Sequence, residues 1–168
     1  TYSGEIADNA KNRVVLDLLK RALDSRYMIS IREEKGGTYG VRVSGGTNKY
    51  PVEQYVITIK FDTNEQLADE LVEICNKEIK RIAEEGPLVE DIAKSKEFLQ
   101  KNYNNILESN SGWLSTIYNW YEEGYNYKDE YLDILASITE DDIKALAQRI
   151  LADGNRTLVV MRPGGTTE

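Results

Sequence analysis

The sequence predicts an α+β fold in which helices pack on one face of a mostly antiparallel sheet. Three observations lead to this prediction. An amphipathic helix is followed by two segments whose apolar residues recur at every second position. Several further amphipathic helices come next, and a short apolar segment closes the chain. Strands and helices grouped in this way are typical of α+β proteins.

The first helix and the first two strands have the clearest patterns. A helix is predicted over residues 6–28, and a charged segment with two glycines ends it. A strand over residues 38–44 follows, then a turn over residues 45–48. Residues 54–61 form the clearest predicted strand, because alternate positions are apolar. The apolar positions are Val14, Val15, Leu18, Leu19 and Leu23 in the helix, and Tyr55, Ile57, Ile59 and Phe61 in the strand.

Two helices are predicted next. Thr63 and Gln66 have the spacing of a capping box, which indicates the start of the second helix. That helix ends at Gly86, which precedes a proline. A third helix extends to about Glu108, although no Ser or Thr caps its start.

The last helices also begin at recognisable caps. Ser109 or Ser111 caps a fourth, aromatic-rich segment that ends near Gly124. Thr139 opens the last helix, with Asp142 three residues later in a capping-box position.

A final strand and the absence of linkers complete the prediction. Residues 157–161 (TLVVM) are predicted to form a strand, because the last four are apolar, and Pro163 ends it. The sequence has no internal repeat, low-complexity tract or domain linker, so residues 1–168 are predicted to form a single domain. Because the chain begins with Thr1 rather than Met, we expect it to be a fragment of a longer chain.

Composition excludes several classes of function. The net charge is −8, from 29 acidic and 21 basic residues, whereas a nucleic-acid-binding protein needs a basic face. No apolar run approaches 18 residues, so no membrane span is predicted. The only cysteine, Cys75, lies on an apolar helical stretch and is expected to be a buried structural thiol. The chain has no histidine, so no metal site is predicted within it.

The segment of residues 31–41 (IREEKGGTYGV) is the strongest candidate for chemistry. Arg32 and Tyr39 can donate hydrogen bonds without changing protonation near pH 7. Gly36 and Gly37 would let the backbone turn sharply, so that the two side chains converge. The alternative is structural, with Arg32 in a surface salt bridge and Tyr39 packed in the core as a strand aromatic.

Four segments in order give the chain a resemblance to the pitrilysin/insulinase family of zinc metallopeptidases. Residues 31–41 resemble the family pattern L-R-E-K-x-G-x-x-Y-x-V, and residues 84–94 (EEGPLVEDIAK) resemble G-x-T-x-x-E-L-x-x-A-K. Residues 138–143 (ITEDDI) are similar to V-T-x-E-D-V, and residues 158–163 (LVVMRP) to the closing strand. Leu88 departs from the pattern where the family usually has a capping Thr or Ser.

The resemblance implies a domain from the zinc-free C-terminal half, with a processing-peptidase-like (LuxS/metallopeptidase) α+β sandwich. Zinc is expected only in the full-length enzyme, bound through an H-x-x-E-H motif in the N-terminal half. The C-terminal half would contribute an Arg and a Tyr seven positions apart, as Arg32 and Tyr39 are. By this resemblance they bind peptide substrate and stabilise the oxyanion, while the fragment alone is inactive.

Two alternatives stay open at this point. The same fold resembles non-catalytic subunits of processing-peptidase-like complexes, so the chain could instead be an interaction module. In either reading the partner is the N-terminal half of the same enzyme or a partner subunit.

A second open question concerns an aromatic-rich segment, which is interpreted as packing against neighbouring helices or another domain rather than as a peptide- or sugar-binding surface. Its members are Tyr118, Trp120, Tyr121, Tyr125, Tyr127 and Tyr131.

Overall fold

Ten elements build the fold in the computed structural model, which describes residues 1–33, 38 and 40–162, without the side chains of Arg32, Glu33 and Glu123. Within these residues a short strand precedes the first helix, two strands follow it, and five helices complete the chain. The elements are β1 (Tyr2–Glu5), α1 (Ala10–Tyr27), a π-helical turn (Met28–Glu33), β2 (Val41–Asn48), β3 (Gln54–Phe61), α2 (Ala68–Glu85), α3 (Val89–Leu107), α4 (Asn110–Glu123), α5 (Tyr127–Ser137) and α6 (Glu140–Asp153).

The three strands form an antiparallel sheet in the order β1–β3–β2. Ile57 lies at its centre, opposite Tyr2 on one side and Gly45 on the other. Helix α1 packs against β2, and α6 packs against α1, α2 and β1. The predicted α+β class with a mostly antiparallel sheet is therefore confirmed.

One hydrophobic core joins the sheet to the helices. Side chains of this size contribute roughly 1.5–3 kcal/mol each when they are fully buried. The members of the core are distant in sequence and come from elements between the first helix and the last. Fully buried members are Leu18, Leu19, Leu23, Tyr55, Ile57, Leu71, Ile79, Ile82 and Ile143.

Several local predictions are confirmed because their signals lie within a few residues. β3 has the predicted bounds, and α2 ends before Gly86, whose φ is 86°. Ser109 caps α4 by accepting a hydrogen bond from the Gly112 N–H at 3.0 Å. The capping box at Thr139 is present, with the Asp142 carboxylate accepting from the Thr139 N–H at 2.8 Å.

The predicted start of the first helix was wrong. The side chain of Asn9 accepts a hydrogen bond from the Asn12 N–H, so α1 begins at Ala10 rather than near Ile6. The Ile6 N–H instead donates to the Glu53 carbonyl, next to the paired strands β1 and β3. β1 itself was not predicted, because its four residues are too few to show a period.

The β2 prediction was wrong at both ends. The strand begins at Val41 rather than at Thr38, and it continues through the glycines that were expected to form a turn. Gly45 pairs with Ile57 in close contact, since a Cβ atom at Gly45 would lie 1.9 Å from the Val56 carbonyl oxygen. Gly45 therefore allows the close approach of two strands, where a turn was predicted.

Two further predictions near helix and chain ends were wrong. Thr63 and Gln66 do not cap α2, whose N-cap is Leu67 without a side-chain cap bond. The strand over residues 157–161 is also not formed within the described residues. Arg156 makes one antiparallel bridge with Tyr2, and no strand pairs with the four residues after Thr157. A short apolar run does not form a strand without a partner for its backbone N–H and C=O groups.

Candidate functional site

The candidate site lies where α1 continues into the π-helical turn that contains Arg32. The turn begins at Met28, whose N–H donates to the carbonyls of Asp24 and Ser25. Ile31, the residue before Arg32, is completely buried, and the Ser30 hydroxyl donates to the Arg26 carbonyl at 2.9 Å. π-Helical turns are rare and occur frequently at functional sites. The backbone at Arg32 is thus held by a buried anchor on its N-terminal side.

Tyr27 fixes the base of this turn to α2. Its side chain is completely buried, and its hydroxyl donates to the Cys75 carbonyl at 3.1 Å. Burial raises the pKa of Tyr27 well above its usual value, so the phenol remains a hydrogen-bond donor. Burial also raises the pKa of Cys75 to about 12, so this side chain is an unreactive thiol, as predicted.

A buried ion pair makes a second link between α1 and α2. The Arg26 guanidinium lies 3.6 Å from the Glu78 carboxylate, and both side chains are about nine-tenths buried. The nearest nitrogen is beyond hydrogen-bond distance, and Glu78 Oε2 has no hydrogen-bond partner. The pair is therefore held by charge, and loss of either partner would leave an unpaired buried charge.

The strand that follows Tyr39 is tied to the same helix. The Asp24 carboxylate accepts a hydrogen bond from the Val43 N–H at 2.9 Å, and the Lys20 ammonium donates to the Gly45 carbonyl at 2.9 Å. Burial raises the pKa of Asp24, although the Val43 N–H opposes that shift. These contacts also occupy part of the free edge of β2, which hinders pairing with another strand.

The structure brings together the two elements that flank the predicted site segment. The π-helical turn that contains Arg32 contacts β2 directly. Thr38 and Gly40 stand on either side of position 39, and the Thr38 hydroxyl donates to the Gly40 carbonyl at 3.0 Å. The Arg32 side chain and residues Gly36, Gly37 and Tyr39 lie outside the described residues.

Sequence reasoning missed the residues that anchor the site. Glu78 and Arg26 carried a usable signal, because each is a charged residue on the apolar stripe of its helix. Glu78 lies three residues after Cys75 and one before Ile79, both of which are buried. A charge at such a position indicates a buried partner. Asp24 carried no comparable signal, since its partner is a backbone N–H.

A second concave region lies between α1, the end of β2 and α4. Its volume is about 530 Å³, and three of its polar side chains bond to one another. Arg13 donates to both carboxylate oxygens of Asp8, at 2.8 and 2.6 Å, and the Thr47 hydroxyl donates to the same carboxylate. Hydrogen bonding from Arg13 holds the pKa of Asp8 below its usual value. These contacts are those of a structural ion pair.

The described residues give no indication of a metal site or a membrane span. No group of three or more His, Cys, Asp or Glu side chains among them is placed to hold a metal ion. None of the described helices is both long enough and apolar enough to cross a membrane.

The predicted aromatic segment divides into two parts. Between α3 and α5, Tyr131 stacks on both Tyr103 and Tyr127, with ring centroids 5.5 and 4.5 Å apart. Tyr103 is tilted by 40° against Tyr127. Tyr125 meets Tyr127 edge-on. This part confirms the packing interpretation. The remaining members, on α4, are exposed: Tyr118, Trp120 and Tyr121. Trp113 on the same helix is also exposed.

Comparisons with known proteins point to one family. Residues 3–99 match the family described as "Peptidase M16 inactive domain". A "Zinc protease PQQL-like" protein of Arabidopsis thaliana is 28% identical over 112 residues, which cover 64% of this chain and 12% of that protein. The chain therefore spans about an eighth of the length of this curated relative.

Solved structures with the same fold agree. The periplasmic protease PqqL from Escherichia coli superposes with a TM-score of 0.76 at 16% identity, over 90% of this chain and 17% of that one. A peptidase M16 inactive domain from Pseudomonas fluorescens superposes with a TM-score of 0.64 at 18% identity, over 82% and 34% of the two chains.

Proposed function

Because the chain belongs to the M16 zinc peptidases, as an inactive domain of that family, we propose that it completes the active site of a zinc endopeptidase. The family is the pitrilysin/insulinase family that the sequence resembles. Its relatives include proteins named as zinc proteases. In this proposal residues 1–168 form one domain of a longer polypeptide, and the N-terminal half or a partner subunit binds zinc.

The residues of this chain do not fit zinc binding. The sequence contains no histidine, and the described residues offer no acidic or thiol cluster in its place. Zinc-dependent peptide hydrolysis therefore requires ligands from elsewhere in the enzyme. The contribution of this domain is to bind the peptide and to stabilise charge.

Arg32 and Tyr39 would make that contribution. Negative charge develops on the scissile carbonyl oxygen during peptide hydrolysis, and preorganised donors stabilise it. One such donor is worth about 3–4 kcal/mol, or roughly 10²–10³ in kcat. The Tyr39 phenol and the Arg32 guanidinium are suitable donors, and Arg32 also fits a peptide carbonyl or carboxylate. Gly36 and Gly37 would give the loop between them its sharp turn.

The anchored π-helical turn is the single observation that carries this proposal. Donors stabilise a transition state only when their positions are fixed before the reaction. Tyr27, Ile31 and the Arg26–Glu78 pair fix the backbone on the N-terminal side of Arg32. Asp24 fixes β2, which begins two residues after Tyr39. If Arg32 made only a surface salt bridge, its backbone would not need these buried contacts.

The experiment is substitution in the full-length, zinc-loaded enzyme. Tyr39→Phe removes one hydroxyl, and it should lower kcat by more than about tenfold while zinc content is unchanged. The matched control is Tyr50→Phe, which makes the same chemical change at an exposed residue of the β2–β3 turn. Peptide cleavage by the control should be normal.

Two results would contradict the proposal. An unchanged rate for Tyr39→Phe would assign Tyr39 to packing and leave the domain a role in assembly alone. Peptide hydrolysis by residues 1–168 by themselves, resistant to a chelator, would show that catalysis needs no zinc-binding half.

A further inference from the structure

Helix α4 is inverted relative to an ordinary surface helix. The side facing the domain carries small or polar residues, including Thr116, which is 4% exposed. Gly112 lies on the same side, where a Cβ atom would stand 2.0 Å from the Ile106 carbonyl oxygen. The opposite side carries large apolar residues exposed to solvent: Trp113, Leu114, Ile117, Tyr118, Trp120 and Tyr121.

These six side chains form one continuous surface, here called the α4 face. At 100° per residue they fall within an arc of roughly 160° along a helix about 21 Å long. Leu114 is 70% exposed and Tyr121 is 89% exposed, whereas fully covered aromatics bury about 150–250 Å² each. Covering the α4 face would bury on the order of 600 Å², close to the roughly 800 Å² per partner of a standard interface.

The α4 face lies at the upper end of the apolar patch sizes that monomeric domains expose. Contiguous apolar patches of roughly 300–600 Å² on a monomer are often functional, and larger ones mark interfaces. Trp and Tyr are also the residues that most often dominate the binding energy of an interface. Scattered exposed apolar residues need no such explanation, but six on one helix face do.

Charge and chain length distinguish between two possible occupants of the α4 face, a second copy of this chain and another domain of the same polypeptide. Each copy of this chain carries a net charge of −8, which disfavours close association of two copies. Glu122, in the last turn of α4, adds negative charge at the helix C-terminus, where a cation is favoured. The chain spans only 12% and 17% of the two longer relatives, so in proteins of that size other domains are available to cover α4.

We propose that the α4 face is the docking surface for another domain of the same M16 polypeptide. That domain presents an apolar groove to Leu114 and Tyr121 and a basic residue at the rim, facing Glu122. The docking is independent of the roles of Arg32 and Tyr39, so a catalytic test of Tyr39 leaves it unaffected. The docking fixes the position of this domain relative to the rest of the polypeptide.

Hydroxyl-radical footprinting of the full-length polypeptide tests the proposal. Labelling of Tyr121 is compared with that of Tyr50, each normalised to the same residue in the denatured chain. In this domain alone Tyr121 is the more exposed of the two, at 89% against 75%. Docking at α4 predicts that Tyr121 is labelled at least about threefold more slowly than Tyr50, because the centre of an interface is desolvated. Equal or faster labelling of Tyr121 would overturn the proposal.

A matched pair of variants identifies the cause of the protection. Leu114→Glu places a charge in the α4 face, and Val89→Glu places one at the far end of α3, at 66% exposure. Both sites are exposed, so both variants should fold. The proposal predicts that Leu114→Glu restores Tyr121 labelling and that Val89→Glu does not. Protection that survives Leu114→Glu would contradict docking at this face.

Dilution distinguishes the proposed occupant from a second copy. An interface within one polypeptide does not depend on concentration, so Tyr121 should remain protected over a 100-fold dilution. Protection that disappears on dilution would assign the α4 face to self-association and overturn the proposed occupant.

Discussion

Replacement of Glu78 by Gln probes the support of the candidate site most directly. The substitution keeps the size of the side chain but removes the charge that faces Arg26 across 3.6 Å. Arg26 then becomes an unpaired cation that is 8% exposed. At an effective dielectric constant of about 20, the lost attraction is about 4–5 kcal/mol. Breaking one side of a buried pair typically costs about 3–5 kcal/mol.

This loss is large against the roughly 5–15 kcal/mol by which domains are stable. The assay is urea unfolding of residues 1–168, with the free energy taken from the midpoint and slope. The matched control is Glu85→Gln on the same helix, where the exposed Glu85–Arg81 pair should leave the urea midpoint unchanged.

A double substitution separates charge from packing. Arg26→Met with Glu78→Leu removes both charges and keeps apolar bulk, so it should recover most of the stability lost in Glu78→Gln. A cost below about 1 kcal/mol for Glu78→Gln would mean that the pair is solvated. A double variant as unstable as the single one would refute an unpaired charge as the cause.

Two further predictions concern α1 and the sheet. Arg13 lowers the pKa of Asp8 in the folded state, so this pair stabilises the fold above the unfolded pKa of about 4 and the contribution is lost as the pH falls through the folded value. Asp8→Asn should therefore flatten the fall of the urea midpoint below about pH 4, and an unchanged slope would contradict that. Gly45→Ala should cost more than about 2 kcal/mol, because φ is 140° and the Val56 carbonyl blocks a Cβ atom. Gly46→Ala, with open space around its Cβ position, is the control, and equal stability of the two variants would refute the close contact.

The parts of the fold that the sequence predicts well depend on local signals. The alternation of residues 54–61 and the capping box at Thr139 act over a few residues, and both are confirmed. β1 and the extension of β2 through Gly45 depend on pairing with β3, which is distant in sequence. Periodicity also does not say which side of a helix is buried, and in α4 the apolar side faces solvent.

The candidate site was also only partly predictable from the sequence. The pairing of Arg32 with Tyr39 came from the resemblance of one segment to a family pattern. The support for that segment comes from residues on three other elements, namely Cys75 and Glu78 on α2, Val43 on β2 and Asp24 on α1. Such contacts form only when the chain folds, although a charge on an apolar stripe, as at Glu78, indicates where to look for one.

The most direct measurement of the central claim is the affinity of the full-length zinc enzyme for a tetrahedral phosphinic peptide that mimics the transition state. If Tyr39 stabilises the oxyanion, Tyr39→Phe should weaken analogue binding by at least about tenfold and change KM less than about threefold. Equal effects on the analogue and on KM would mean that Tyr39 only binds substrate. No effect on either would contradict the proposal that this domain completes the active site.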